Sequence, residues 1–372
     1  MKKLGVGIIG CGNISTAYLK LAPMFKALEV RKVADMNMDA ARARADEFGV
    51  TAVSVDELLA ADDIDVIVNL TIPDAHFAVT KQILEAGKHA YSEKPFVLTL
   101  EEGEILRSIC AEKGVRVGSA PDTRMGGAHQ AARVAIDEGR IGKVTSGTAH
   151  VMSAGMEMWH PNPDFFFLPG AGPMLDIGPY YVTNLIQLLG PVEKVAALAT
   201  SASDTRTITS EPRNGETIPV KTPTNIHALL QFASGATVTV STSWDVHAHR
   251  HANMELYGTE GSIFVPDPNF FGGTVEIAGK DGEITELAQP DHAFGRINDG
   301  DRANYRTAGL ADMAQAIAEG RPHRCSLEMA LHAVDVMTSV LKSGETGTFV
   351  TLTTTCERPA AVTPTEAQAL MA

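Results

Sequence analysis

The chain has 372 residues, 44% of them hydrophobic and 20% charged, with a formal net charge of −14. That length exceeds one ordinary core and predicts two domains, and the composition excludes a disordered or fibrous chain. The acidic balance argues against nucleic-acid or anionic-membrane partners, which require basic surface, and no apolar run is long enough to span a bilayer.

The first element is the apolar, strand-length run Leu4-Gly5-Val6-Gly7-Ile8-Ile9, which Gly10-Cys11-Gly12-Asn13-Ile14-Ser15 turns into a helix. The pattern G-x-G-x-x-S is one step from the fingerprint that cradles a dinucleotide. Gly10 permits the tight turn, Gly12 lets the backbone approach a pyrophosphate, and the small Ser15 lets helix and strand pack closely. The second strand, Val30–Ala34, leads into Asp35, about twenty residues past the glycines, where a carboxylate grips ribose hydroxyls. Met36 and Asn37 follow, with no Arg or Lys set to hold a 2′-phosphate, so NAD is expected in preference to NADP. Asp35 also reads as a cap for a helix starting near Asp39.

Strands and helices then alternate, as in a parallel sheet with crossover helices. Ser54-Val55-Asp56-Glu57 and Thr99-Leu100-Glu101-Glu102 each match the capping box that opens a helix. Asp65–Leu70 is nearly continuous apolar sequence, as a strand buried on both faces should be. It runs into Thr71-Ile72-Pro73-Asp74-Ala75-His76 at its carboxyl end, where open sheets bind their ligands. A helix over 76–86 follows, then the stretch 87–95. The alternation closes near Ser119, which predicts a dinucleotide-binding domain over 1–122 and a second domain over 123–372.

The texture changes after that boundary. A helix over 128–138 leads into β-rich segments separated by turns. The runs 228–232 and 236–244, joined through Ala233-Ser234-Gly235, read as a hairpin with Val238, Val240, Thr242 and Trp244 on one face. Further strands are expected at 254–257, 262–265 and 274–277, and the polar, proline-punctuated stretch 201–224 reads as an exposed loop or ragged edge hairpin. Helices over 309–319 and 327–343 follow, and 359–372 reads as a loose tail. Cys11, Cys110, Cys325 and Cys356 share no metal-like spacing, and two of them fall in core elements, so reduced thiols are expected. The apolar start after Met1-Lys2-Lys3 breaks at glycines, unlike a signal peptide, and the expected location is cytoplasmic.

Two clusters carry candidate chemistry. Glu93-Lys94-Pro95 follows a strand at the cofactor edge, and a lysine beside a nicotinamide can move a proton or activate a neighbouring acid. The tripeptide alone also reads as a surface lysine paired to Glu93. In the second cluster, Pro179 suits the first position of a helix, with Asp176 just before it and Tyr180 in its first turn. Tyr180 can exchange a proton with an alcohol or carbonyl oxygen while Asp176 orients the substrate; equally, Asp176 caps the helix and the tyrosines pack. Trp159 and His160 offer a stacking ring and a hydroxyl partner, or equally pack as an ordinary wall, and Asp122 stands either at the nicotinamide or in a hinge. His247, His249 and His251 alternate and would share a face on a strand, but hydride transfer needs no metal, and none is expected.

Taken together, Gly10-Cys11-Gly12-Asn13-Ile14, Thr71–His76, Ala86-Gly87-Lys88-His89, Glu93-Lys94-Pro95 and Asp176-Ile177-Gly178 resemble the Gfo/Idh/MocA oxidoreductases. The resemblance implies a Rossmann domain followed by an α+β domain with a large, open, mainly antiparallel sheet, often used to form homodimers or homotetramers. It places Lys94 as the catalytic lysine and Asp176 as the family's aspartate. Many members carry histidine four residues after that aspartate; Tyr180 stands there instead, which is similar to the tyrosine branch that includes glucose–fructose oxidoreductase and dimeric dihydrodiol dehydrogenase. The cofactor contacts expected are Gly10, Gly12, Asn13, Ile14, Asp35, Met36, Thr71, Ile72, Pro73, His76, Glu93 and Lys94. Those expected for substrate are Lys94, Asp122, Trp159, His160, Asp176 and Tyr180. The implied activity is NAD(P)-dependent hydride transfer to or from a sugar, cyclitol or related polyol. The alternatives are a non-catalytic dinucleotide sensor of the same fold, or a reductase of a non-sugar substrate such as a dihydrodiol.

Overall fold

The computed structural model describes residues 3–372, so the Met1-Lys2 start lies outside the described residues. The chain divides into two compact units, Met1–Gly127 with Pro290–Val334 and Pro359–Ala372, and Ala128–Gln289 with Asp335–Arg358.

The first unit begins as six strands, β1 (Leu4–Ile9), β2 (Leu28–Ala34), β3 (Thr51–Ala52), β4 (Val66–Asn69), β5 (His89–Ser92) and β6 (Val117–Ser119). All pair in parallel, in the order β3-β2-β1-β4-β5-β6. That is the doubly wound order, with its direction reversing between β1 and β4. The crossovers are α1 (Ser15–Leu21), α2 (Met38–Phe48), α3 (Val55–Ala60), α4 (Pro73–Glu85) and α5 (Leu100–Lys113). Both capping boxes form as expected, at Ser54/Glu57 and Thr99/Glu102. All four residues of β4 are buried, which explains its nearly continuous apolar sequence, broken only by Asn69. Helix α4 starts three residues earlier than His76, because Pro73 lacks the donor that a first-turn residue leaves unused anyway.

The second unit holds α6 (Gly127–Asp137), β7 (Val144–Met152), α7 (Gly172–Asp176), α8 (Gly178–Leu189) and β8 (Val192–Thr200). A small hairpin follows, β9 (Thr205–Thr207) with β10 (Thr217–Pro219). Then come β11 (Asn225–Phe232), β12 (Thr237–Ser243), β13 (Met254–Gly258), β14 (Ser262–Val265), β15 (Glu276–Ala278) and β16 (Ile284–Glu286). The β11–β12 pair is the expected hairpin, with Val238, Val240, Thr242 and Trp244 all buried.

The chain ends with α9 (Ala308–Glu319), α10 (Leu327–Thr346), β17 (Val350–Thr351) and α11 (Pro364–Leu370). Strand β17 completes a nine-stranded sheet, β16-β15-β14-β13-β7-β12-β11-β8-β17, antiparallel throughout except for the parallel β7–β12 pair. The rest differs from the single break expected near residue 122. Leu327, Leu331 and Val334 join the apolar core of the first unit, so the chain returns there after the large sheet. The last residues are not a loose tail. Thr363 and Glu366 form a capping box, Ala367 and Leu370 are buried, and the Ala372 N–H donates to the Met24 carbonyl at 2.8 Å. Burial of that short apolar face holds the terminus against the first unit.

Candidate active site

In the first unit the predicted motifs converge on one sheet edge. The glycine turn follows β1, Asp35 follows β2, Thr71-Ile72-Pro73 follows β4 and Glu93-Lys94-Pro95 follows β5. Each lies at a carboxyl strand end, and β1 and β4 flank the switch point where such sheets bind ligands. Gly10 has φ +102°, and a Cβ there would lie 2.6 Å from the Leu70 carbonyl oxygen, so both conformation and close approach demand glycine. A Cβ on Gly12 would meet no described atom within 4 Å, which leaves its backbone open to a pyrophosphate. Ser15 is fully buried and its hydroxyl donates to the Gly12 carbonyl at 2.6 Å, fixing the turn from below.

Asp35 binds the turn to the second strand. One carboxylate oxygen accepts the Cys11 N–H at 2.7 Å and the other the Asn37 N–H at 2.8 Å. Each oxygen keeps a further acceptor site for a ribose hydroxyl. Asp35 does not cap α2; the Asn37 side chain does. Met36 and Ile72 are 98% and 68% exposed, large apolar side chains left open at this edge as a cofactor would require. The residues therefore fit a dinucleotide. Arg44, which the sequence pattern did not signal, reaches back from α2 and donates to the Ser15 hydroxyl at 3.1 Å while pairing with Glu47.

Two expected contacts are committed elsewhere. His76 is 1% exposed, with Nδ1 2.6 Å from the Pro95 carbonyl and Nε2 3.0 Å from that of Thr71. Burial pushes its pKa down while the two carbonyls push it up, and the ring lies between the two loops rather than facing the open edge. Asp122 is 2% exposed, and its Oδ2 accepts the N–H groups of Thr307 and Gly309 at 3.0 Å each. It caps α9, whose own N-cap residue Thr307 sits at φ +91° with no side-chain cap.

Glu93 anchors the segment that carries Lys94. It is 6% exposed; Oε1 accepts the Tyr18 hydroxyl at 2.9 Å and Arg306 Nη1 at 3.0 Å, and Oε2 accepts the Lys94 N–H at 3.0 Å. Burial alone raises this carboxyl, but Arg306 and Lys94 overcome it and hold the pKa below its ordinary value. Burial beside that carboxylate pushes the Tyr18 phenol well up. Arg306 lies more than two hundred residues from its partner, and no local pattern announces it.

In the second unit, Asp176 ends the short helix α7 and Tyr180 lies in the first turn of α8, 4% exposed. Asp176 does not cap α8, whose N-cap Ile177 has no side-chain bond. The neighbouring Tyr181 is committed inward, donating to Asp267 at 3.1 Å and accepting from Asn253 at 3.0 Å. Trp159 is 63% exposed and stands edge-on to His160, their ring centroids 5.4 Å apart. His247, His249 and His251 lie in a connection rather than on a strand, and His251 stacks on His150 of β7 at 4.0 Å. No group of His, Cys, Asp or Glu among the described residues could hold a metal ion, and the four cysteines are free thiols. No described helix is long and apolar enough to cross a membrane.

Residues 4–120 match the model for an oxidoreductase family with an NAD-binding Rossmann fold, and residues 129–264 match the GFO/IDH/MocA C-terminal domain. The levoglucosan dehydrogenase of Pseudarthrobacter phenanthrenivorans is 29% identical over 291 residues, covering 71% of this chain and 73% of that protein. The inositol 2-dehydrogenase of Rhizobium meliloti is 26% identical over 276 residues, 74% of this chain and 79% of that protein. A levoglucosan dehydrogenase solved with NADH and L-sorbose shares the fold, with a TM-score of 0.81 and 24% identity over 95% of this chain and all of that one.

Proposed function

The chain belongs to the Gfo/Idh/MocA oxidoreductases, and we propose that it moves hydride between NAD and a secondary alcohol or carbonyl carbon of a sugar, cyclitol or related polyol. The observation that carries this reading is Lys94. It stands in its full Glu93-Lys94-Pro95 setting on the strand edge that also bears the glycine turn, Asp35 and Thr71-Ile72-Pro73. A dinucleotide-binding sensor has no use for a lysine held there.

Bound nicotinamide supplies the hydride acceptor or donor. Tyr180 takes the hydroxyl proton as the substrate carbon loses hydride and becomes a carbonyl, and it returns that proton in the reverse direction. The ammonium of Lys94 stabilises the phenolate oxygen that accepts the proton, and Asp176 orients the substrate hydroxyls. Asp35 favours NAD over NADP, since a carboxylate beside Met36 and Asn37 repels a 2′-phosphate. The homodimer or homotetramer expected of the chain would use the outer face of the large sheet, where Leu198 and Leu229 of paired strands β8 and β11 are 72% and 47% exposed.

The test is NADH formation from NAD⁺ across sugars, cyclitols and glycosides, with Lys94→Ala and Tyr180→Phe beside the native protein. Turnover of one polyol class is expected, cut about 10²–10⁴-fold in both variants. Activity that survives in both removes the pair from the mechanism. Tight NADH binding with silence across the panel favours the sensor, and tighter binding of NADPH than NADH overturns the cofactor preference.

A further inference from the structure

A buried ionic hub in the second unit takes no part in this chemistry. Arg206 of β9 has a side chain only 16% exposed. Its Nη1 donates to Glu157 Oε1 at 3.1 Å, its Nη2 donates to the Asp245 carboxylate, and its guanidinium carbon lies 5.6 Å from the centre of the Phe167 ring. Asp245 in turn accepts the Thr224 hydroxyl at 2.8 Å. Backbone bonds run in parallel with this hub. The N–H groups of Thr209 and Ser210 donate to the Glu157 carbonyl at 3.0 and 3.3 Å, and that of Lys221 donates to the Phe167 carbonyl at 2.7 Å. The Ser210 hydroxyl donates to the His160 carbonyl at 2.7 Å, and Arg213 clasps Asp164. The segment read from sequence as an exposed loop or ragged edge hairpin is thus a clamp, and what it holds is the strip 156–168.

That strip has two faces. Inward, Met156, Phe166 and Phe167 pack with Ile208, Ile218 and Trp244. Outward, Met158, Trp159, Phe165 and Leu168 are 52%, 63%, 46% and 41% exposed. So much apolar surface on thirteen residues marks a binding surface rather than ordinary exterior. Its chemistry favours a ring. Trp159 and Phe165 each meet His160 edge to face, with ring centroids 5.4 and 5.5 Å from its own, and both rings are partly exposed. The C–H face of a pyranose or cyclitol complements the aromatic faces, and the imidazole is at hand for a hydroxyl. Helix α7, which ends in Asp176, packs against the turn 164–167, so the strip is continuous with the candidate catalytic segment.

We propose that this strip is the stacking surface for a cyclic polyol substrate and that Arg206 is a positioning residue that fixes it. The proposal rests on the polyol reading above. Removing the guanidinium leaves Glu157 and Asp245 as buried carboxylates with no cation between them, and the strip loses its anchor. Arg206 Nε, Glu157 Oε2 and Trp244 Nε1 are buried without a hydrogen-bond partner among the described residues.

The experiment compares native protein with Trp159→Ala, Arg206→Met and Arg206→Lys. KM and kcat are measured on a cyclic and an acyclic polyol, with NADH affinity and hydrogen exchange of the 156–168 peptide alongside. Trp159→Ala should raise KM for the cyclic substrate about five- to tenfold, the loss of one stacking contact. Its kcat, its NADH affinity and the acyclic KM should stay within about twofold. Arg206→Met should reproduce that split and speed exchange of 156–168, with partial recovery in Arg206→Lys. A cyclic KM unchanged in Trp159→Ala, or exchange unchanged in Arg206→Met, overturns the proposal, as does a fall in kcat matching the rise in KM. If no polyol is turned over, the polyol reading has failed separately. Trp159 fluorescence then decides in a Trp244→Phe background, where Trp159 is the sole tryptophan. Quenching by cyclic and not acyclic polyols sustains the surface, and no quenching by either overturns it.

Discussion

Replacing Arg306 with methionine tests the ionic cluster behind Lys94. The substitution keeps the length and apolar stem of the side chain and removes only the cation. At 3.0 Å from Glu93, and with an effective dielectric of about 20, the pair is worth about 5 kcal/mol of Coulomb energy. Because Glu93 stays buried once its partner is gone, we expect a loss of about 3–5 kcal/mol in unfolding free energy at neutral pH. The loss should depend on pH with a definite sign. In the native protein Glu93 is held below its ordinary pKa, so its contribution is present above the unfolded value and disappears as pH falls through the folded one. In the variant only Lys94 and the bonds from its N–H and the Tyr18 hydroxyl still oppose burial, so the carboxyl moves up and the penalty exists only while the unfolded chain is ionised. Asp122 moves the same way. Burial already raises its carboxyl, and Arg306 is the cation that opposes this. The gap between native and variant should therefore be widest near neutral pH and narrow below about pH 4, where free carboxylates protonate. Urea unfolding at both pH values, at equal protein concentration, reads it. A loss under about 1 kcal/mol, or one of equal size at both pH values, refutes the argument.

Two further outcomes follow from the same edge of the sheet. Gly10→Ala places a Cβ 2.6 Å from the Leu70 oxygen at φ +102° and should lower stability by about 2 kcal/mol or more together with NADH affinity. Gly12→Ala, whose Cβ meets no described atom, should melt like the native protein and still bind NADH at least tenfold more weakly; thermal melts beside NADH titrations separate the two. Burial pushes the Cys11 and Cys325 thiols up to about 11. At pH 8 each is about a thousandth thiolate, so alkylation should be slow in the native state and rapid in urea, read by intact mass.

What could be read from sequence alone was what a few neighbouring residues decide among themselves. The capping boxes at Ser54 and Thr99, the glycine turn at Gly10, the buried run of β4 and the Val238–Trp244 face are fixed by bonds and periodicities within one turn or one strand. Those local signals were enough to place Lys94 and Asp35 on a dinucleotide-binding edge. Tertiary structure decided the residues whose partners lie far along the chain. Arg306 and Asp122 find Glu93 and α9 across roughly two hundred residues; Arg206 joins Glu157 to Asp245; the last helix docks on the first unit. The alternating histidines after Trp244 would share a face on a strand, but they lie in a connection, with His251 stacked on His150. The physical reason is common to all of these. A local hydrogen bond competes only with water and is settled by its own segment, whereas a buried charge is tolerated only where the whole fold delivers its counter-charge.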